Sequence, residues 1–261
     1  MNQKTKPLKV GGKAIYSRPR SLTARRTHYC PGCGHGIVHR LIAEAIDALE
    51  IRERTVGIAP VGCAVLAYFY LDIDMTEAAH GRAAAVATGI KRALPDRIVF
   101  AYQGDGDLAA IGTAETIHAA NRGEKIAVIF VNNAVYGMTG GQMAPTTLPG
   151  QKTVTCPDGR DCASMGPPLR MCELINTLEK PYFIERVALD SPKGVTDAKR
   201  AILTAFSAQV EDKGYCFVEI LSPCPVYQRR SPVGALDFVG NDMARYFPVR
   251  VFRREGKIVN G

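Results

Sequence analysis

The chain has 261 residues, 46% of them hydrophobic, enough to bury one large core or two small ones. No run approaches the ~20 apolar residues that cross a bilayer, and Met1-Asn2-Gln3-Lys4 lacks the apolar core of a signal peptide, so a cytoplasmic protein with no membrane partner is expected. The net charge of +8 is uneven: nine Lys and Arg fall within the first 40 positions, no Asp or Glu precedes Glu44, and the rest of the chain sums to about −1.

Residues 1–27 show neither helical nor strand period and read as an extended basic arm. Such an arm can bind nucleic acid or an acidic protein. Nothing after it resembles a nucleic-acid module, however, and no aromatic side chains alternate with its charges. A solvated or subunit-wrapping extension is favoured, with no nucleic-acid partner. From Gly36 to Leu49, the apolar residues Val38, Leu41, Ile42, Ala45, Ile46 and Leu49 recur at helical spacing. Thr55–Ala59 reads as a short strand. Gly81–Leu94 reads as a second helix, stopped by Pro95. Two apolar runs follow, Ile98–Tyr102 and Ile126–Val131, with a helix over 108–121 between them. Both have the length of strands buried on both faces in a parallel sheet.

Residues 137–168 are rich in Gly, Pro and Thr, and loops this long inside a compact domain are usually functional or mobile. A helix over Leu169–Leu178, a strand over Tyr182–Val187, a helix over Val195–Val210 and a strand over Tyr215–Leu221 complete the regular part. This alternation predicts a parallel α/β sheet with helices on both faces. The expected division is a basic arm (1–27), one cofactor-binding domain (28–228) and a basic C-terminal segment (229–261) that packs on a neighbour.

Where the two central strands end, the chain carries Gly104-Asp105-Gly106-Asp107 and, 28 residues past Asp105, Asn133. Ligands collect beyond the carboxyl ends of parallel strands. Hard oxygen ligands on neighbouring loops suit Mg²⁺, which keeps few protein ligands and takes the rest from a phosphate. Glycines let backbone N–H groups approach that phosphate. Alone, Gly-Asp-Gly is also an ordinary turn.

The chain has eight cysteines, and in a reducing compartment thiols or metal ligands are favoured over disulfides. Cys30-Pro31-Gly32-Cys33 directly precedes the first helix. Its spacing alone fits a zinc knuckle, a redox dithiol or two free thiols as well as one half of another metal centre. Cys156 and Cys162, six apart, are no second close pair; they read as loop thiols, and Cys172 and Cys216 as small buried hydrophobes. Among the histidines, His39 and His118 read as structural, while His28 and His35 flank the Cys-x-x-Cys pair and read as hydrogen-bonding groups.

The Gly-Asp-Gly and the distant Asn together resemble the thiamine diphosphate enzymes. More narrowly, Asn133-Ala134-Val135-Tyr136-Gly137-Met138-Thr139-Gly140-Gly141-Gln142 and His28-Tyr29-Cys30-Pro31-Gly32-Cys33-Gly34-His35-Gly36 resemble the thiamine-diphosphate-binding β subunit of the 2-oxoacid:ferredoxin oxidoreductases, over about residues 28–230. The resemblance implies Mg²⁺ held by the Asp105 carboxylate, the Asn133 side chain and the Val135 carbonyl. It implies a cofactor pocket lined by Gly62, Ala64, His80, Gly81, Arg82, Gly104, Asp105, Gly106, Asp107, Asn133, Tyr136, Gly137, Met138 and Thr139. A helix start at His80-Gly81-Arg82 also favours a diphosphate. A [4Fe–4S] cluster is implied on Cys30, Cys33, Cys63 and Cys224.

The implied reaction converts a 2-oxoacid, CoA and oxidised ferredoxin to acyl-CoA, CO₂ and reduced ferredoxin. Thiamine diphosphate would supply the carbon nucleophile and the electron sink. The Glu that activates it is expected from a partner α subunit, so no catalytic residue is assigned in this chain, which is expected to be inactive alone. A ferredoxin-like subunit or ferredoxin would take the electrons, since no C-x₂-C-x₂-C-x₃-C-P run is present. Ala64–Leu71 carries no cation for a distal carboxylate, which favours a branched-chain substrate such as 2-oxoisovalerate over 2-oxoglutarate or pyruvate; core or subunit interface is the competing role for that stretch. Two other classes remain: a non-oxidative thiamine diphosphate decarboxylase subunit, and a zinc-binding nucleic-acid module.

Overall fold

The computed structural model describes residues 7–259. Residues 1–6 of the expected basic arm, with the Met1–Lys4 start, and 260–261 of the C-terminal segment lie outside the described residues.

The arm is not featureless. Strands β1 (Leu8–Val10) and β2 (Lys13–Tyr16) pair antiparallel. Gly11 and Gly12 join them at φ 55° and 78°. Two consecutive positive φ values suit the tight turn whose twist matches a hairpin, and glycine adopts them without a Cβ clash. Leu8, Val10 and Tyr16 are exposed.

The main sheet has eight strands: β3 (Thr55–Pro60), β4 (Asp74–Ala78), β5 (Ile98–Gly104), β6 (Ala127–Asn132), β7 (Phe183–Ala188), β8 (Cys216–Leu221), β9 (Arg250–Arg254) and β10 (Lys257–Ile258), ordered β10-β9-β7-β8-β6-β5-β3-β4. Strands β3 to β8 run parallel; β9 and β10 close one edge antiparallel. The expected strands all appear within a few residues of their expected limits. β4 was not expected: Asp-Met-Thr-Glu-Ala sits at the sheet edge, half exposed and without alternation.

Alternate residues of each central strand face opposite layers. On one face α1 (His35–Ala48) and α7 (Pro192–Val210) cover Phe100, Tyr102, Ile129, Val131, Val218 and Ile220. On the other, α3 (Ala83–Ala93), α4 (Thr113–Arg122) and α6 (Met171–Asn176) cover Val99, Ala101, Val128, Phe130, Ile184 and Phe217. Each fully buried large apolar side chain contributes about 1.5–3 kcal/mol, so these two layers hold the strands in register. Local chemistry sets the helix ends. The Ser191 Oγ accepts from Gly194 N at 3.1 Å with Pro192 in the first turn of α7, and Gly123 at φ 66° ends α4. Short helices α2 (Ala67–Tyr70), α5 (Cys162–Met165), α8 (Pro225–Gln228), α9 (Pro232–Asp237) and α10 (Ala244–Tyr246) fill the connections.

The C-terminal segment, expected on a neighbour, also packs on its own chain. β9 pairs with β7 of this same chain, and Phe238, Val239, Met243 and Phe247 form a buried cluster with Ala134, Leu148 and Leu221. Its basic residues concealed these apolar anchors. The long loop is ordered by one buried guanidinium: Arg160 donates to the carbonyls of Thr147 at 2.8 Å, Pro145 at 2.9 Å and Gly166 at 2.9 Å. That arrangement satisfies backbone carbonyls which have no strand or helix partner. Among the described residues, no helix is long and apolar enough to cross a membrane.

Candidate functional site at the carboxyl edge of the sheet

Because β3, β5, β6 and β8 are parallel neighbours, their carboxyl ends open on one edge. Val61-Gly62-Cys63 follows β3, Asp105-Gly106-Asp107 follows β5, Asn133 follows β6, and Ser222-Pro223-Cys224 follows β8. One cleft there is lined by Gly62, Cys63, Ala64, His80, Gly104, Asp105, Gly106, Asp107, Asn133, Val135, Tyr136, Gly137, Met138 and Thr139, with His35 and Val61. Gly81 and Arg82 are the only pocket candidates outside this lining.

Asp105 is at the centre. Its Oδ1 accepts from Gly106 N at 2.9 Å; its Oδ2 accepts from Val135 N at 3.1 Å and from the Thr146 hydroxyl at 2.8 Å. Burial pushes its carboxyl up to about 6, against the pull of the Thr146 hydroxyl and the nearby backbone N–H groups. A carboxylate offers about four lone-pair positions. Three are engaged, and the fourth suits a hard cation. The Asn133 Oδ1 accepts only a 3.3 Å contact from Val135 N, and among the described residues no backbone N–H reaches the Val135 carbonyl. Carboxylate, amide oxygen and carbonyl thus form a donor set suited to Mg²⁺.

The glycines differ in what they do here. A Cβ on Gly62 (φ 113°) or Gly104 would meet nothing within 4 Å, so both leave open space beside the cleft. A Cβ on Gly106 would collide with the Tyr136 ring. Tyr136 N donates to the Gln142 carbonyl at 3.0 Å, and the Thr139 hydroxyl donates to Gln142 Oε1 at 2.6 Å. The Thr-Gly-Gly-Gln segment is therefore a closed turn on the rim.

Cys63 and Cys224 lie beside this turn. A Cβ built on Gly137 would stand 3.4 Å from the Cys63 Sγ, 3.7 Å from the Cys224 Sγ and 4.0 Å from the Asn133 Nδ2. Gln228 ties the two parts together: its Oε1 accepts from Cys224 N at 3.0 Å, and its Nε2 donates to the Asn133 carbonyl at 3.1 Å. Burial pushes the Cys33 thiol up to about 12, with Cys63 and Cys30 adding to it. Burial likewise pushes Cys224 up to about 12, with Cys33, Cys63 and Asp105 adding, and Cys63 up to about 11, with Cys30 and Asp105 adding. Among the described residues, no three His, Cys, Asp or Glu side chains stand close enough to hold a metal ion as placed. Cys33, Cys63 and Cys224 each nonetheless lie within electrostatic range of another of these sulfurs, and Cys63 and Cys224 also of Asp105.

Asp107 lines the cleft, but protein donors engage its carboxylate. Its Oδ1 accepts from Gly81 N at 2.5 Å and lies 2.8 Å from the His80 Nδ1, while its Oδ2 accepts from the Gln103 amide at 2.7 Å. Asp107 thereby braces the His80-Gly81 turn. The Arg82 guanidinium pairs with Glu115. His35 contacts the Tyr102 hydroxyl through Nδ1 at 2.5 Å and stacks on Tyr29; His28 engages Tyr70. His39 is buried in α1 and His118 is exposed on α4. Cys172 and Cys216 are buried, as is the loop thiol Cys156; Cys162 is half-buried. Sequence reasoning missed Thr146, whose one signal was membership of the long loop, and missed His35 and Val61 as cleft-lining residues.

Residues 61–220 match the thiamine pyrophosphate enzyme C-terminal TPP binding domain. Over 239 residues the chain is 59% identical to ketoisovalerate oxidoreductase subunit VorA of Methanothermobacter marburgensis, covering 92% of this chain and 50% of that protein. Over 242 residues it is 35% identical to 2-oxoglutarate synthase subunit KorB of Methanocaldococcus jannaschii, covering 89% of this chain and 85% of that protein. The structure of 2-oxoglutarate:ferredoxin oxidoreductase from Magnetococcus marinus, with 2-oxoglutarate, coenzyme A and succinyl-CoA bound, is similar with TM-score 0.71 at 23% identity, covering 90% of this chain and 83% of that one. That likeness is one of fold. The chain spans about half the length of the VorA relatives it matches, and most of the length of the KorB relative.

Proposed function

Because this chain belongs to the 2-oxoacid:ferredoxin oxidoreductase family, as a thiamine-diphosphate-binding β subunit, we propose that it forms the diphosphate half of an active site for CoA-dependent oxidative decarboxylation of a 2-oxoacid. The products would be acyl-CoA and CO₂, with the electrons passed to ferredoxin. One observation carries this reading: a Cβ built on Gly137 would meet the Cys63 and Cys224 sulfurs and the Asn133 amide alike, all within 4.0 Å. A cofactor held at the Asp105–Asn133 turn would therefore lie directly beside the thiols.

In this reading Asp105, Asn133 and the Val135 carbonyl hold Mg²⁺, and Gly62 and Gly104 leave room for a diphosphate. Cys30, Cys33, Cys63 and Cys224 hold a [4Fe–4S] cluster, for which four thiolates are the usual ligand set. When bound, thiamine diphosphate supplies the carbon nucleophile and electron sink, and the cluster a one-electron relay. The Asp107 carboxylate keeps His80 at the cleft wall. Cofactor activation falls to a Glu of an α subunit, and a ferredoxin-like protein accepts the electrons.

A branched-chain 2-oxoacid such as 2-oxoisovalerate is the favoured substrate. The 59% identity to a ketoisovalerate subunit, against 35% to a 2-oxoglutarate subunit, supports it. Within Ala64–Leu71, the residues Ala67, Tyr70 and Leu71 are buried in the domain, while Ala64 lines the cleft and Tyr68 is exposed. Only part of that stretch is therefore available to a substrate or subunit. Anaerobic purification with the companion subunits, followed by assay with 2-oxoisovalerate, 2-oxoglutarate and pyruvate, tests the reading. Highest kcat/KM on 2-oxoisovalerate is expected, and turnover of 2-oxoglutarate at equal or higher efficiency would refute the substrate assignment.

The Asp105 carboxyl, at about 6 against an ordinary 3.8, adds a pH dependence. Between those values the folded, cation-free chain holds a proton that the unfolded chain has released. Its stability therefore falls as pH rises through that window. A cation needs the ionised form, so its affinity rises up to about pH 6 and then levels. Calorimetric titration with Mg²⁺ and thiamine diphosphate is expected to show binding about tenfold weaker at pH 5 than at pH 7.5. Equal affinity at both would contradict the role of Asp105.

A further inference from the structure

One fully buried ion pair near the cleft has no part in the chemistry above. Arg186 on β7 and Glu219 on β8 are both 0% exposed, and the Arg186 Nε donates to the Glu219 Oε2 at 2.9 Å. The other end of the guanidinium is engaged by Glu173 at 2.5 Å and by the Pro248 carbonyl at 3.2 Å, with the Phe247 and Phe252 rings packed near it. Burying two charges costs several kcal/mol each before pairing, and apolar residues of equal volume would often serve stability as well. A carboxylate at this position therefore calls for a reason beyond filling space.

The second oxygen supplies one. The Glu219 Oε1 accepts from the Asn132 Nδ2 at 2.8 Å. An ionised carboxylate only accepts, so the amide must turn its NH₂ towards Glu219 and its oxygen the other way. That oxygen accepts from Ala134 N at 3.1 Å. Ala134 has φ 61°, the left-handed region disfavoured for a residue with a Cβ, and it is buried. On either side of it lie Asn133 and Val135, the residues that face Asp105.

We propose that Glu219, held by Arg186, is a positioning residue for the magnesium turn. It orients the Asn132 amide, the amide clamps Ala134 in the left-handed conformation, and that conformation presents the Asn133 side chain and the Val135 backbone to Asp105. The inference rests on the thiamine diphosphate and Mg²⁺ reading given above. It also ties the C-terminal segment to the cleft, since Pro248 and the two phenylalanines cap the same guanidinium.

The test uses the enzyme with its companion subunits and measures thiamine diphosphate binding with Mg²⁺ by calorimetry, with iron content and melting temperature as controls. Glu219→Gln is expected to weaken binding at least tenfold with iron content unchanged. Adding Ala134→Gly is expected to recover most of the loss, because glycine occupies the left-handed region without a clamp. Asn132→Ala, which leaves the ion pair whole, is expected to give the same loss and the same recovery, and it serves if Glu219→Gln fails to fold. Unchanged affinity in both single variants, or no recovery on adding Ala134→Gly, overturns the inference. Failure of the unaltered enzyme to bind thiamine diphosphate with Mg²⁺ overturns the proposed function instead.

Discussion

Asp105→Ala is expected to abolish Mg²⁺-dependent thiamine diphosphate binding, weakening it by at least about 10³-fold (about 4 kcal/mol), while leaving iron content intact. The size follows from what is removed. The carboxylate is the one charged member of the oxygen set, and a buried divalent cation depends on anionic ligands far more than on an amide or carbonyl. The loss is local because the three donors to Asp105 are Gly106 N, Val135 N and the Thr146 hydroxyl, and none belongs to a cysteine loop. Calorimetry for the cofactor and an iron assay on the same preparation separate the two sites. Unchanged cofactor affinity refutes the assignment.

Cys224→Ser is expected to do the reverse, lowering iron content and the absorbance near ~400 nm of a thiolate-held cluster, with cofactor affinity kept within about threefold. Ferredoxin-linked turnover is expected to fall at least about 100-fold, since the substitution removes one of four ligands from the electron path. With thiols pushed up to about 12 at Cys33 and Cys224 and about 11 at Cys63, the cysteines are poor anions unless a metal centre compensates them. Cys172→Ser is the control: that thiol is buried in the core, and its replacement should leave iron unchanged. Full iron retention in Cys224→Ser counts against that ligand. Zinc without iron in the unaltered enzyme would favour the zinc-binding alternative.

What the sequence revealed, and what it concealed, follows from how local each signal is. The central strands announced themselves because burial on both faces makes them continuous apolar runs. Ile126–Val131 needed no partner to be recognised. Helix α1 showed because Val38, Leu41, Ile42, Ala45 and Ile46 fall on its buried stripe. The cleft residues were legible for the same local reason: each sits within a few positions of a strand end. β4 was not, because it lies half exposed at the sheet edge, and β9 was not, because Arg250–Arg254 carries three arginines among five residues. Gly11-Gly12, with two consecutive positive φ values, is a local hairpin signal. Thr146, Arg160 and the Glu219–Asn132 pair lie beyond local pattern altogether, since each acts on a partner at least a dozen residues away.

The central claim is that the Asp105 turn and the four cysteines serve one reaction centre on one edge of the sheet. Anaerobic crystals of the assembled enzyme, measured for anomalous scattering at the iron edge, test it most directly. The account predicts a single iron peak in this chain, enclosed by Cys30, Cys33, Cys63 and Cys224 and lying against Gly137, with thiamine diphosphate at Asp105 beside that glycine. An iron peak elsewhere in the chain, or a cofactor bound away from Asp105, would contradict it.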